Sequence, residues 1–266
     1  MSVVDTFTIN RTEKKPSVEI PVTATEINKD TVWSYLDNGT DPAGNSNVAG
    51  YNRTSWTAEN FATTDAGKTA AGPFGSKKGN ATLETGYTAA TVLGGTDGKN
   101  DTPAYFFRTQ FEIDSLEGIT QLKGTVQHDD AAIIYINGVR VAAFEDIACD
   151  ESGNGLGTPI SANLQYGGSN SGSPRTSEFA VTNLSMLHTG ENTIAVEMHQ
   201  GRKTSSDLWF YMPTLELSRE PVAESEAQTD ISLSMGADQT KMNFTWHINA
   251  DTAGNLLVAK ASELVD

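Results

Sequence analysis

His128, Asp129 and Asp130 stand together just before an apolar run, AAIIYI, that ends at Asn137-Gly138. A histidine beside two carboxylates is a set from which general acid–base chemistry is built, provided one group lies within hydrogen-bond reach of the atom it protonates. Three readings follow. In the first, the acidic pair enters a buried strand and must be hydrogen-bonded or paired there; backbone N–H groups of adjacent loops supply the bonds, with Arg202 or His199 nearby. In the second, Asp129 or Asp130, Asn137 and His199 face a pocket at the loop ends and bind a sugar. The third is acid–base catalysis, for which the sequence offers no second carboxylate whose pairing can be argued.

Other reactive residues are sparse. The four histidines, His128, His188, His199 and His247, share no metal-ligand spacing. Cys149 is the single cysteine, which excludes an internal disulfide and a cysteine-built zinc site. Neither a Gly-x-Ser-x-Gly elbow nor a Gly-x-x-x-x-Gly-Lys-Ser/Thr phosphate loop is present. In DNGTD, Asp37 and Asp41 carry oxygens suited to a structural Ca2+, but the remaining ligands of an EF-hand loop are missing, so an ordinary turn stands beside the metal reading. Trp33, Trp56 and Trp209 either stack on sugar rings or anchor a core. Trp209 and Tyr211 alternate with Leu208, Phe210 and Met212, so one set faces inward and the other is open to solvent. If the first set is the open one, Trp209 and Tyr211 form the platform of a ligand site. Glu145, Asp146, Asp150 and Glu151 read as a solvated acidic loop.

The elements that position these residues are strands. YFFRTQFEI alternates, with Tyr105, Phe107, Thr109, Phe111 and Ile113 on one face and Phe106, Arg108, Gln110 and Glu112 on the other. AAIIYINGVRVAAF is a hairpin about Asn137-Gly138, because both turn positions need positive φ. Its first arm is apolar on both faces and belongs in a buried, central position. NTIAVEMHQ sets Ile194, Val196 and Met198 against Ala195, Glu197 and His199. LSMLHTGEN alone reads as helical, a single turn closed by Gly190. Between residues 38 and 103, Gly, Asn, Thr, Asp and Ser dominate, with Trp56, Phe61 and Phe74 as recurring anchors; long ordered loops are expected there.

The spacing predicts an all-β chain: an extended lead-in over 1–27, a jelly-roll β-sandwich over 28–219, a polar linker over 220–230, and over 231–266 the first strands of a second β-sandwich. The chain has 266 residues and a formal net charge of −16. Such acidity disfavours nucleic acid and anionic membrane as partners. No apolar run is long enough to cross a bilayer, so membrane insertion is not expected, and MSVVDTFTINRTEKK has no signal-peptide pattern.

Two resemblances add to this reading. VWSYLDNGTD, SWTAENF, GPFGSKKG, YFFRTQFEI, HDDAAIIYINGVRV and NTIAVEMHQGRKTSSDLWF together resemble the galactose-binding-like modules of large secreted bacterial proteins. ISLSMGADQTKMNFTWHI resembles the opening of the fibronectin-type N-terminal domain of purple acid phosphatase-like metallophosphoesterases, where a GAD-x-T turn precedes a Trp-bearing strand, here with Trp246. The resemblances imply an extracellular, non-catalytic accessory region of a calcineurin-like phosphoesterase. The family's Asp-x-His, Gly-Asp-x-x-Asp and His-x-His motifs are missing from this chain, so its dinuclear metal centre would lie downstream and no cofactor is required in this part. The implied partners are the downstream catalytic domain and a glycan or cell-wall polysaccharide. A stand-alone carbohydrate-binding module and a structural spacer with no small ligand remain the alternatives.

Overall fold

The computed structural model describes residues 23–61, 67–84, 86–145, 147, 160–168, 172–220, 228–235, 237 and 242–248. Cys149, Asp146, Asp150, Glu151 and the side chain of Trp246 lie outside the described residues. Contacts divide the chain into two compact units, one running from Pro21 to Glu220 and one that contains the residues from Pro221 onward.

The strands of the larger unit follow in order: β1 (Thr23–Ile27), β2 (Val32–Leu36), β3 (Lys68–Ala71), β4 (Phe74–Lys77), β5 (Thr82–Glu84), β6 (Tyr87–Thr88) and β7 (Thr91–Val92). After them come β8 (Ala104–Ile113), β9 (Ile119–Asp129), β10 (Ala131–Ile136), β11 (Val139–Phe144), β12 (Arg175–Val181), β13 (Gly190–His199) and β14 (Asp207–Arg219). One sheet runs β12-β9-β14-β4-β7, with β1 paired to β14; the other runs β11-β10-β13-β8-β2-β3. From β8 to β14 the chain passes repeatedly between the two sheets, which is the alternation a jelly-roll sandwich requires. The first strand lies within residues read as a lead-in and serves the sandwich: Thr23 pairs with Ser218 and Ala24 with Leu217.

The core between the sheets is aromatic. Phe107 and Phe210 lie 4.4 Å apart, Phe74 and Phe107 5.0 Å, and Trp33 meets Phe210 edge-on at 5.3 Å. Such tilted and edge contacts are the favoured arrangements of ring quadrupoles. Tyr105, Phe107, Phe111 and Ile113 face this core together with Ile194, Val196 and Met198, as their alternation predicts. Phe106, Ile133, Tyr135 and Ala195 turn the other way, into a second cluster under the loops that carry Trp56, Phe61 and Ile160. All six residues of β10 are therefore buried. At its end Asn137 has φ 47° and Gly138 φ 82°, the two positive values the hairpin turn demands.

In β14, Leu208, Phe210 and Met212 face the core, and then so do Leu215 and Leu217; the phase changes from even to odd. A bulge makes the change. Tyr211 pairs with Gln127 and Thr214 with Thr125, so two residues of β14 oppose one of β9. Without the extra residue, one half of this strand would turn its apolar side to water.

LSMLHTGEN is not helical. Leu187 N–H bonds the carbonyl of Leu184 at 2.9 Å in a single turn, and Gly190, at φ 96°, already opens β13. Among the described residues the helical element is a short 3-10 segment at Ser55–Thr57. Beyond Pro221, β15 (Gln228–Met235) and β16 (Met242–Ile248) pair antiparallel from Gln228↔Ile248 to Met235↔Met242, the two strands about a turn that the sequence predicts.

Candidate functional site

The acidic pair sits where β9 leaves one sheet and β10 enters the other, across a cis peptide bond between Asp129 and Asp130. Both residues are buried, at 3% and 2% exposure. Asp130 Oδ2 accepts the Gly201 N–H at 2.7 Å and the Ser205 hydroxyl at 3.3 Å. Burial, then the charges of Asp130, Asp207 and Glu84, push the Asp129 carboxyl up to about 9, so at neutral pH it carries its proton. The protonated group donates where a carboxylate only accepts, and Asp130 is its partner.

His128 is wholly buried as well, with its ring 5.3 Å from that of Phe144. Its Nδ1 lies 2.7 Å from the Asp130 carbonyl oxygen, an acceptor, so Nδ1 carries the proton and Nε2 accepts from the Ser177 hydroxyl at 2.8 Å. Burial holds its pKa below the ordinary histidine value. The His-Asp-Asp run is thus a joint between two sheets, and none of its side chains reaches solvent.

The remaining sequence candidates disperse. Asn137 lies at the far end of β10, seven residues from Asp130 and so roughly 20 Å away. Its Nδ2 donates to the Met186 carbonyl and to Asn192 Oδ1, both at 2.8 Å, and its Oδ1 accepts the Thr193 N–H at 2.7 Å. His199 is wholly buried, with Nδ1 2.7 Å from the Gln165 carbonyl. Gly167 lies so close over it that an added Cβ would stand 3.0 Å from His199 Cβ. Arg202 is exposed in the turn that brings Gly201 and Ser205 to Asp130. A sugar pocket made of Asp129, Asn137 and His199 is not assembled.

The oxygens of Asp37 and Asp41 are likewise spent. Both Asp37 oxygens lie 2.9 Å from Lys68 Nζ, and Oδ2 also accepts the Gly94 N–H. Asp41 accepts from the Ala43 N–H, the Tyr51 hydroxyl and Asn163 Nδ2. A cation at Asp37 would have to displace an ammonium group. The described residues hold no group of three His, Cys, Asp or Glu side chains able to bind a metal.

Trp209 is 2% exposed and is no stacking platform. The small β5–β6 ribbon covers it with Leu83 and Tyr87, the latter edge-on at 5.4 Å. Its Nε1 donates to Gln127 Oε1 at 3.2 Å. Gly75 makes room beneath: a Cβ there would meet the Trp209 ring at 2.7 Å. Tyr211 is different. It stands on the same face, half-buried, and its hydroxyl makes no hydrogen bond among the described residues. Gln127, its cross-strand neighbour, keeps its amide NH2 uncommitted. Thr125, Thr214 and Thr176 continue this face along β9, β14 and β12.

One polar network escapes sequence reasoning. Arg53, at 5% exposure, donates to Glu197, at 0%, and to the Tyr135 hydroxyl at 2.9 Å; Tyr135 donates in turn to the same carboxylate at 2.9 Å. His199 Nε2 lies 3.8 Å from Glu197. Burial alone would raise the Glu197 pKa, but His199, Arg53 and Tyr135 outweigh it and hold the group below the ordinary value. Asn163 Nδ2 ties the Arg53 carbonyl to Asp41, at 2.8 Å each. The signal was Glu197 itself, a charge flanked by Val196 and Met198 in a buried strand, which demands a cation. Nothing local says that Arg53 supplies it.

No family model matches this sequence, and no curated protein matches it. Similar solved structures include a β-glucuronidase of Bifidobacterium dentium complexed with coumarin-3-O-glucuronide, at 17% identity and TM-score 0.37 over 69% of this chain and 21% of that one. Another is a β-glucuronidase from Ruminococcus gnavus in complex with D-glucaro-d-lactam, at 10% identity and TM-score 0.40 over 88% of this chain and 35% of that one. A β-glucuronidase of an uncultured Clostridium sp. matches at 13% identity and TM-score 0.38 over 89% and 35%. The chain therefore spans between 21% and 35% of the length of these structures.

Proposed function

We propose that the sandwich is a non-catalytic accessory module that holds a saccharide against the solvent face of its first sheet, around Tyr211 and Gln127. The observation that carries the reading is their pairing in the β9–β14 register, which sets a half-exposed aromatic ring with a free hydroxyl beside a free amide. Sugars are bound by this combination, a flat apolar surface for the ring and fixed polar groups for its hydroxyls. Trp209, buried beneath, stiffens the floor and fixes the Gln127 carbonyl, leaving its NH2 to point at a ligand.

The non-catalytic half of the proposal rests on where the titratable groups went. Asp129, Asp130, His128, His199 and Glu197 are each 3% exposed or less and are bonded into joints between elements. A general acid must touch its substrate. The exposed pair His188–Glu59, at 2.8 Å, is a surface ion pair. Following the sequence resemblance, the parent is a secreted metallophosphoesterase, and the module's work is to bring that enzyme to a glycan-bearing surface.

A glycan array probed with the chain and with Tyr211→Ala tests the reading. Binding to a defined saccharide class, lost in the variant, supports it. An array without signal, or equal binding by both proteins, ends it.

A further inference from the structure

The opposite sheet carries a groove of about 390 Å3, lined by Val32, Ser34, Arg108, Thr109 and Gln110. Ser34 and Arg108 are direct cross-strand partners, so their side chains rise from one point of the groove floor. Arg108 is half-buried, and its guanidinium is only partly used. Nη2 donates to the carbonyls of Ala58 at 2.7 Å and Glu59 at 3.0 Å, with Thr193 Oγ1 more distant at 3.4 Å. Nε is buried and has no hydrogen-bond partner. Among the described residues Nη1 makes no hydrogen bond and Arg108 no ion pair within 4.0 Å. Ser34 Oγ is also uncommitted. The carboxylate that acts on Arg108, Glu191, is bonded to Gln110 instead.

A half-buried guanidinium that feels Glu191 without being bonded to it gains from an acid that pairs with it directly. Desolvation already lowers the Arg108 pKa from its ordinary value. The chain as a whole carries −16, yet among the described residues no acid is bonded to this guanidinium. We infer that the groove is a binding site for a single carboxylate carried by a small polar ligand, such as the acid group of an acidic monosaccharide unit. One carboxylate oxygen takes Arg108 Nη1–H and the other the Ser34 hydroxyl; Val32, 57% exposed at the rim, faces the apolar edge of the ligand. Glu191 and the overall negative charge disfavour a doubly charged phosphate in the same place. At 390 Å3 the groove is of small-ligand size and takes one unit, not a folded partner.

The test is an amide- and guanidinium-resolved NMR titration of the whole chain with acetate, galacturonate, galactose and inorganic phosphate. Saturable shifts at Ser34, Arg108 and Gln110 with acetate and galacturonate, and none with galactose, support the site. Ser34→Asp places a like charge in the groove without touching the Arg108 anchor to Ala58 and Glu59. It should weaken galacturonate binding roughly tenfold or more while the rest of the spectrum keeps its dispersion. No saturable shift with either carboxylate, an equal response to galactose, tighter binding of phosphate, or an unaffected Ser34→Asp protein would each overturn the inference. Shifts confined to Tyr211 and Gln127 would do the same while leaving the saccharide face intact.

Discussion

Arg53 and Glu197 lie 144 residues apart in the chain and meet as an ion pair with side chains 5% and 0% exposed. The pair fastens the loop of residues 37–61 to β13, and Tyr135 of the neighbouring β10 closes a triangle with both. Removing one member strands the other in a dry place. Arg53→Ala should cost about 3–5 kcal/mol in urea unfolding at neutral pH, because Glu197 is left uncompensated. Arg53→Met with Glu197→Gln should cost less than Arg53→Ala alone. If the single and double variants lose the same amount, the pairing is not what holds the loop.

Asp129 gives the sandwich a pH dependence of known sign. Its folded pKa is raised above the unfolded value, so the folded state binds the extra proton. Its contribution is full below the unfolded carboxyl value, near pH 4, and is lost as pH rises towards about 9. The slope is at most about 1.4 kcal/mol per pH unit for one proton. Asp129→Asn keeps a donor for Asp130 and does not titrate. Its melting temperature should therefore fall less than that of the parent between pH 5 and pH 9. Glu197, whose pKa is lowered, acts oppositely and at acid pH, so the two effects separate on the pH axis.

Asn137 combines a positive φ of 47° with three side-chain hydrogen bonds, one to Met186 in the turn before β13 and two to Asn192 and Thr193 of β13 itself. Asn137→Ala should cost about 2–4 kcal/mol, the sum of lost bonds and backbone strain. Asn137→Gly, which relieves the strain only, should recover about 1 kcal/mol of this. Chemical denaturation of the two variants side by side decides the matter, and equal losses would show that φ contributes nothing.

Gly75 shapes the seat of Trp209. An added Cβ would stand 2.7 Å from the indole and 2.9 Å from the Leu208 carbonyl, and the backbone atom cannot swing aside. Gly75→Ala should destabilise the sandwich by about 1–3 kcal/mol and change the near-ultraviolet circular dichroism of the tryptophans. An unchanged spectrum with full stability would mean that the indole has room.

What sequence reasoning recovered, and what it did not, divides by range. The faces of β8 and β13 and the Asn137-Gly138 hairpin were readable because alternation and turn chemistry are local. Trp209 was misjudged because its cover, the β5–β6 ribbon, comes from a turn-rich stretch more than 120 residues earlier. The β14 bulge hid behind an unbroken apolar pattern whose phase slips at Met212–Thr214. LSMLHTGEN has the look of a helical turn, yet Asn192, bonded to the carbonyls of His188 and Gly190, folds it back into a strand. Arg53 and Arg108 carried no mark in their own neighbourhoods; their roles are set by Glu197, by the carbonyls of Ala58 and Glu59, and by burial.

Pairing of Thr23 with Ser218 puts the first and last strands of the sandwich side by side, so the polypeptide enters and leaves this unit about 5 Å apart. A unit whose two ends lie so close adds almost nothing to the length of the path through it. Tension applied at its two ends opens β1 from β14 one rung at a time, from Thr23 and Ser218 inward, and does not shear all the rungs together. Under such a pull the β1–β14 rungs yield first, ahead of the aromatic core around Phe107 and Phe210.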